Sequence, residues 1–252
     1  MKNLEPGTGE TLDVLGEDRL HFIQPKNGYR FSIDSLLLWG FLRPQPGDRW
    51  IDLGTGCGIL AIALARISGV KEVVGLDVQP ELVTLAKRNA LLNHVEKRLT
   101  FLVTDLRDTE QIRSIGQADG VCANPPYYRA LSGRLNPDPQ KAVARHEIKG
   151  RMEEFIHAGG LLLKKGGTFV TILPPLRLQD ALLALSASGL NLSRMRPVHS
   201  RGDQPATLVL LEAIKGETSP LSLEPPLVIY QSPGLYSQEV QDLMSLNPLH
   251  RY

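Results

Sequence analysis

Cysteine is nearly absent: Cys57 and Cys122 are the two in a chain of 252 residues. They form neither a disulfide framework nor a metal-ligand pattern, which excludes a stapled scaffold and a zinc module; no metal is expected. Both flank candidate site loops, and small buried thiols filling tight space is the expectation for them. Long hydrophobic runs are missing too. No apolar stretch approaches the length of a membrane span, and Met1-Lys2-Asn3-Leu4-Glu5-Pro6 lacks the apolar core of a signal peptide. A cytoplasmic protein with no membrane partner is therefore expected. Charge of one sign is not in excess: the formal net charge is +1, so bulk charge does not mark a nucleic-acid binder. There is no internal repeat or low-complexity segment. What remains, 42% hydrophobic and 22% charged residues, is the composition of a soluble globular protein long enough for one large α/β domain with a minor attachment.

The strand-like stretch Arg49-Trp50-Ile51-Asp52-Leu53 runs into Gly54-Thr55-Gly56-Cys57-Gly58 and then into the Ala/Leu-rich helical pattern 59–66. Strand, glycine turn, helix is the context in which a Gly-x-Gly motif carries weight. Glycines permit positive φ and let a ligand approach the backbone. A second apolar strand, Val73-Val74-Gly75-Leu76-Asp77, ends in an acid about 20 residues beyond the glycines, the spacing of an acid that holds ribose hydroxyls. A nucleoside-bearing cofactor follows. The spacing is Gly-x-Gly-x-Gly, not the dinucleotide Gly-x-Gly-x-x-Gly, and Asp52 opens it. That acid would repel a pyrophosphate and attract an ammonium. The loop thus resembles that of S-adenosylmethionine-dependent methyltransferases. A third acid, Asp105, closes the strand-like run 99–104. There it either stands near the cofactor adenine or begins the polar loop Arg107-Asp108-Thr109-Glu110.

The second motif is Asn124-Pro125-Pro126-Tyr127, which stops the apolar run 118–123. A buried strand ending at two prolines delivers a stiff loop. Such a loop presents an amide oxygen, a backbone carbonyl and an aromatic ring at one point. Two acceptors and a ring suit a flat molecule bearing an NH2 group.

Residues 11–24 alternate like a small hairpin around Gly16-Glu17-Asp18, and 36–42 reads as a helix ending before Pro44. From residue 49 strands and helices alternate, with helices over 80–92, about 147–164 and 176–188, and a strand over 168–173. That rhythm predicts a parallel sheet with helices on both faces. Residues 191–199 and 206–213 read as two strands joined by a tight loop, hence antiparallel. The expected division is an N-terminal hairpin extension (1–28), a methyltransferase domain (29–216) and a Pro/Gly-rich tail (217–252) packing on that domain.

The glycine loop with Asn-Pro-Pro-Tyr resembles the amino-group branch of the class I methyltransferases. Four further stretches narrow the likeness: 29–38 (YRFSIDSLLL), 144–147 (ARHE), 197–211 (PVHSRGDQPATLVLL) and 225–230 (PPLVIY). With these, the chain resembles the bacterial tRNA(Val) adenine N6-methyltransferase family from about residue 19 to 245. The resemblance implies an α/β, Rossmann-like class I methyltransferase fold. Its mostly parallel seven-stranded sheet would carry an antiparallel C-terminal hairpin, and a small N-terminal β-hairpin would precede it. It implies S-adenosyl-L-methionine as cofactor and tRNA as partner. Asp52, Gly54, Thr55 and Gly56 would seat the methionine end, Asp77 and Val78 the ribose, and Asp105 and Leu106 the adenine. Phe31 would close over the cofactor, and Asp34 would either do so too or cap a helix. Asn124, Pro125 and Tyr127 would be catalytic, with Asn124 also touching the cofactor. Tyr127, Arg129 and Arg145 would bind substrate.

Basic residues cluster after the Asn-Pro-Pro-Tyr loop (Arg129, Arg134, Lys141, Arg145, Lys149, Arg151) and again at Arg194, Arg196, His199 and Arg201. Either group could meet phosphates or be solvated surface. Two other functions fit the same motifs: a release-factor glutamine N5-methyltransferase, and an S-adenosylmethionine- and RNA-binding protein without turnover.

Overall fold

A computed structural model describes residues 4–16, 20–27, 30–67, 69–126 and 152–244. The chain opens with the antiparallel hairpin β1 (Glu10–Leu15) and β2 (Leu20–Pro25), registered Leu15 to Leu20 through Glu10 to Pro25. Helix α1 (Ile33–Phe41) follows. Then come β3 (Arg49–Leu53), α2 (Ile59–Arg66), β4 (Glu72–Asp77), α3 (Pro80–Leu92), β5 (Leu99–Val103), α4 (Thr109–Ser114) and β6 (Ala118–Ala123). Beyond residue 151 lie α5 (Met152–Leu162), β7 (Leu163–Leu173), α6 (Leu178–Ala187), β8 (Leu190–His199) and β9 (Ala206–Lys215). The tail adds β10 (Ser222–Leu223), β11 (Leu227–Val228), the ribbon β12 (Tyr230–Ser232) and β13 (Leu235–Tyr236), and α7 (Gln238–Met244).

The long strands stand in the order β8-β9-β7-β6-β3-β4-β5. Strands β7, β6, β3, β4 and β5 are mutually parallel, while β9 runs antiparallel between β7 and β8. These are the seven strands the sequence predicts, with the antiparallel pair where expected. Two-residue strands β10 and β11 extend the edge by pairing parallel to β8, which makes nine in all. Two-residue strands have no alternation to read, so the tail gave no such signal. Helix α4 is likewise additional to the predicted elements. Its start was legible as Asp108-x-x-Gln111: the Asp108 carboxylate accepts from the Gln111 backbone N–H at 3.0 Å, an N-cap bond.

Alternation along the strands divides the core into two layers. Ile51 and Leu53 of β3 face one side with Val121, Ala123, Phe155 and Ile156. Trp50 faces the other with α1, α2 and the hairpin's Leu20 and Phe22. The indole lies flat against β6 at Gly120, where an added Cβ would come within 2.3 Å of the ring. Only glycine admits that approach.

The hairpin is fastened, not loose. Asn89 of α3 and Asn93, the residue that caps its C-terminus, bond the backbone of Ile23 and His21 in β2. The tail is fastened at the other end of the same layer: the buried Arg194 guanidinium donates to Glu212 at 2.6 Å, Glu224 at 3.1 Å and the Phe41 carbonyl at 2.6 Å, and lies 3.7 Å from the Phe41 ring centroid. Arg196 pairs with Glu239 at 2.6 Å and Arg201 with Asp203 at 3.7 Å. The three arginines of this basic group are therefore engaged with acids of the C-terminal part, and the phosphate-contact reading does not suit Arg194 or Arg196. The earlier group, Arg129 to Arg151, lies outside the described residues. No helix among the described residues is long and apolar enough to cross a membrane, and no group of three metal-ligating side chains occurs among them.

Candidate active site

Strand order reverses at β3: β4 and β5 lie to one side, β6 and β7 to the other. Ligands of open parallel sheets bind at the carboxyl ends of the strands flanking such a point. Register brings three strand ends level there, because Leu53 pairs with both Leu76 and Ala123. The glycine loop after β3, Asp77 ending β4 and Asn124 following β6 consequently stand side by side at the carboxyl edge of the sheet.

Asp52 is 1% exposed. One carboxylate oxygen accepts from the Thr55 hydroxyl at 2.7 Å; the other accepts from the Cys122 thiol at 3.7 Å, across the paired positions of β3 and β6. Burial pushes this acid up to about 7, against the two side-chain hydrogen bonds and with a contribution from the nearby Asp77 charge. Asp77 is raised as well, chiefly by burial. Its two oxygens accept from the backbone N–H groups of Gly56 and Gln79, each at 2.9 Å. Carboxylate oxygens have further lone pairs, so both remain competent to accept from a diol. Gly54, Gly56 and Gly58 all take positive φ, of 67°, 56° and 90°, which folds the loop back beneath Asp77. Two desolvated acids at that edge suit a ligand that brings a cation to Asp52 and hydroxyls to Asp77.

Phe31 is half-buried and packs toward the cluster formed by Ile23, Cys57, Leu82 and Leu85, beside the glycine loop. Its ring meets Phe22 edge-on at 5.6 Å, and its N–H donates to the buried Gln24 side chain at 2.9 Å. The hairpin thus sets the position of this entry segment. Asp34 lies in the first turn of α1, whose N-cap is Ser32. Val78 is exposed beyond Asp77, and Leu106 packs against the opposite core layer.

Asp105 stands past the end of β5, but its carboxylate is gripped by Arg107 through guanidinium bonds of 2.7 to 3.1 Å and the Arg107 N–H at 3.0 Å. That guanidinium holds the acid below its ordinary range. The alternative in which Asp105 opens a polar loop fits this geometry, and contact with an adenine would require it to share its lone pairs with Arg107.

Asn124 is half-buried between buried Pro125 and the strand end. Its side-chain nitrogen donates to the Ser35 hydroxyl of α1 at 3.0 Å. Tyr127, Arg129 and Arg145, the expected substrate contacts, lie outside the described residues. Sequence reasoning passed over Ser35, the Cys122–Asp52 contact and Asn89. The last had a legible signal: two asparagines four apart, Asn89 and Asn93, in an otherwise Leu/Ala-rich helix.

The sheet order and its switch-point loops define a class I methyltransferase fold. A predicted O-methyltransferase from Agrobacterium tumefaciens superposes with a TM-score of 0.68 at 21% identity, over 84% of this chain and 96% of that one. TYW2 from M. jannaschii, in complex with AdoMet, superposes at 0.55 with 17% identity, over 82% and 87%. Residues 37–125 match the family model of ribosomal protein L11 methyltransferase (PrmA), the stretch from α1 through the glycine loop to Pro125. Along almost its whole length the chain resembles curated tRNA1(Val) (adenine(37)-N6)-methyltransferases. The Porphyromonas gingivalis relative is 27% identical over 236 residues, covering 90% of this chain and 91% of that protein. The Vibrio campbellii relative is 26% identical over 218 residues, covering 86% and 88%.

Proposed function

We propose that this protein is an S-adenosylmethionine-dependent methyltransferase that modifies the exocyclic N6 amino group of adenine in tRNA, acting in the cytoplasm. The observation that carries the reading is the juxtaposition of the buried acids Asp52 and Asp77 with Asn124 at the ends of adjoining strands. The near full-length similarity to tRNA adenine N6-methyltransferases supports the choice of substrate.

When bound, S-adenosylmethionine supplies an electrophilic methyl group on a sulfonium. Asp52 and the loop of Gly54, Thr55 and Gly56 would hold its methionine end, with Asp77 accepting from the ribose hydroxyls. Phe31, Val78, Asp105 and Leu106 would complete the pocket. The nitrogen of an aromatic amine is a poor nucleophile because its lone pair is delocalised into the ring. Asn124 Oδ1 and the Pro125 carbonyl would accept the two amine hydrogens and aim the lone pair at the methyl group. Orientation of that kind supplies much of the rate. Tyr127 would stack on the unstacked base, worth roughly 1–3 kcal/mol, and Arg129 and Arg145 would bind the RNA. The hairpin (1–28), the methyltransferase domain (29–216) and the tail (217–252) would act as one body, a reading supported by the Asn89, Asn93 and Arg194 bonds.

The test is transfer of tritiated methyl from S-adenosylmethionine to unmodified bulk tRNA, followed by nucleoside analysis. Labelled N6-methyladenosine is expected. Label in release-factor protein and none in RNA would replace the reading with glutamine methylation.

The raised Asp52 gives a second expectation, on pH. Between its ordinary 3.8 and about 7 the folded protein keeps a proton that the unfolded chain has released. The contribution of Asp52 to the stability of the ligand-free protein therefore falls as pH rises through that window and levels off above it. A cationic ligand favours the carboxylate, so binding should expel the proton below neutrality and tighten as pH rises toward about 7. Calorimetric titration in buffers of different ionisation enthalpy measures the release; no proton uptake or release at acidic pH would sink the assignment of Asp52.

A further inference from the structure

We propose that Ser35 is a positioning residue for methyl transfer, anchoring the Asn124 carboxamide at the strand end where the substrate amine would be met; this rests on the methyl-transfer reading above. A carboxamide has one accepting end and one donating end, and the two are nearly the same shape. An amine substrate needs the oxygen. If the amide turned about its terminal torsion, its NH2 would meet the substrate NH2, donor against donor, and that arrangement is unproductive.

The structure holds the nitrogen end down. Asn124 Nδ2 donates to Ser35 Oγ at 3.0 Å, a contact between residues 89 apart in sequence. Ser35 is itself 1% exposed, so water does not compete freely for its hydroxyl. It is also rigidly placed, in the first turn of α1 with its N–H donating to the Ser32 carbonyl at 3.2 Å. Helix α1 is anchored independently of the site: Leu37, Leu38 and Trp39 are buried in the core, and Phe41 contacts Arg194. The hydroxyl that accepts from the amide thus stands on one element, and the amide it anchors sits just past the end of another, β6. With Nδ2 turned toward α1, Oδ1 lies at the opposite end of the carboxamide, and a carbonyl oxygen can accept two hydrogen bonds.

Ser35→Ala removes the acceptor while leaving a side chain that the helix tolerates. The expected result is a fall in kcat of about tenfold, the scale of one lost positioning hydrogen bond. Affinity for S-adenosylmethionine and thermal midpoint should stay near those of the parent protein, and Ser35→Thr, which keeps the hydroxyl, should restore most of the rate. A purely structural serine would instead lower the midpoint and cofactor affinity together with kcat, which would overturn the proposal. So would a Ser35→Ala enzyme as fast as the parent. A second readout does not depend on the identity of the substrate. The side-chain NH2 signal of Asn124, assigned by its loss in Asn124→Asp, should show slowed hydrogen exchange in the parent protein and lose that protection in Ser35→Ala. Unchanged protection would refute the contact even if tRNA proved to be the wrong substrate. Absence of methyl transfer from the parent protein to tRNA would instead count against the functional reading.

Discussion

Asn124→Ala is expected to lower methyl transfer at least about 100-fold, the scale on which misplacing a reacting group costs rate, while cofactor affinity changes by no more than about threefold. The asymmetry follows from where the side chain sits. The two acids proposed to hold the cofactor belong to β3 and β4: Asp52 is held by Thr55 and Cys122, and Asp77 by Gly56 and Gln79. None of those four bonds passes through the Asn124 side chain. Truncation therefore removes the acceptor for the amine and leaves the cradle. The cost to folding is also small, because Asn124 is half-buried and only one neutral side-chain hydrogen bond, to Ser35, is given up. Single-turnover transfer to tRNA alongside calorimetric titration with S-adenosylmethionine checks both halves. Activity within tenfold of the parent would remove Asn124 from the chemistry, and a matching loss of cofactor affinity would make it a binding residue only.

The features legible in the sequence are those governed by local rules. The glycine loop, the acids Asp52 and Asp77 and the terminus of β6 at Asn124 lie where strand-turn-helix grammar places them. The antiparallel β8–β9 pair followed from a short connection alone. What was not legible depends on contacts between distant segments. Arg194 reads as a surface cation until Glu212, Glu224 and the Phe41 carbonyl are brought around it. Asp105 reads either as an adenine contact or as the start of a polar loop, and the guanidinium of Arg107 that folds back onto it is not announced by the spacing. Ser35 carries no signal by itself, since its meaning comes from an amide 89 residues further along the chain. Strands β10 and β11 exist because β8 offers an open edge, a property of the partner and not of Ser222 or Leu227.

The hairpin shows how much such a distant contact can carry, and Asn89→Ala should be the most destabilising single truncation of a polar side chain in this layer. Four residues of helix advance about 6 Å and two residues of strand about 6.6 Å. Asparagines at 89 and 93 therefore face alternate residues of β2 and serve as a substitute strand. Asn89 accepts from the Ile23 N–H at 2.8 Å and donates to the Ile23 carbonyl at 3.0 Å; Asn93 does the same for His21 at 3.0 and 2.8 Å. Asn89 also donates to the Cys57 carbonyl at 2.9 Å, in the glycine loop. It is fully buried, so alanine leaves three backbone groups without partners where water does not reach readily. At about 1–3 kcal/mol per orphaned group, and allowing for partial relaxation, the loss should be about 3–5 kcal/mol. Asn93→Ala should cost less, because His21 is only part-buried and water can replace the lost partner. Asn89→Asp keeps one acceptor but loses both donations and adds a buried charge, so it should do no better than alanine. Urea unfolding of the three variants, with hydrogen exchange at the Ile23 amide, measures the effect. A loss below about 1 kcal/mol with Ile23 still protected would mean that the apolar contacts of Phe22 and Ile23 hold the hairpin unaided. If the full loss is found, weaker cofactor binding should accompany it even in the folded fraction, since the same side chain joins β2 to the loop that follows Asp52.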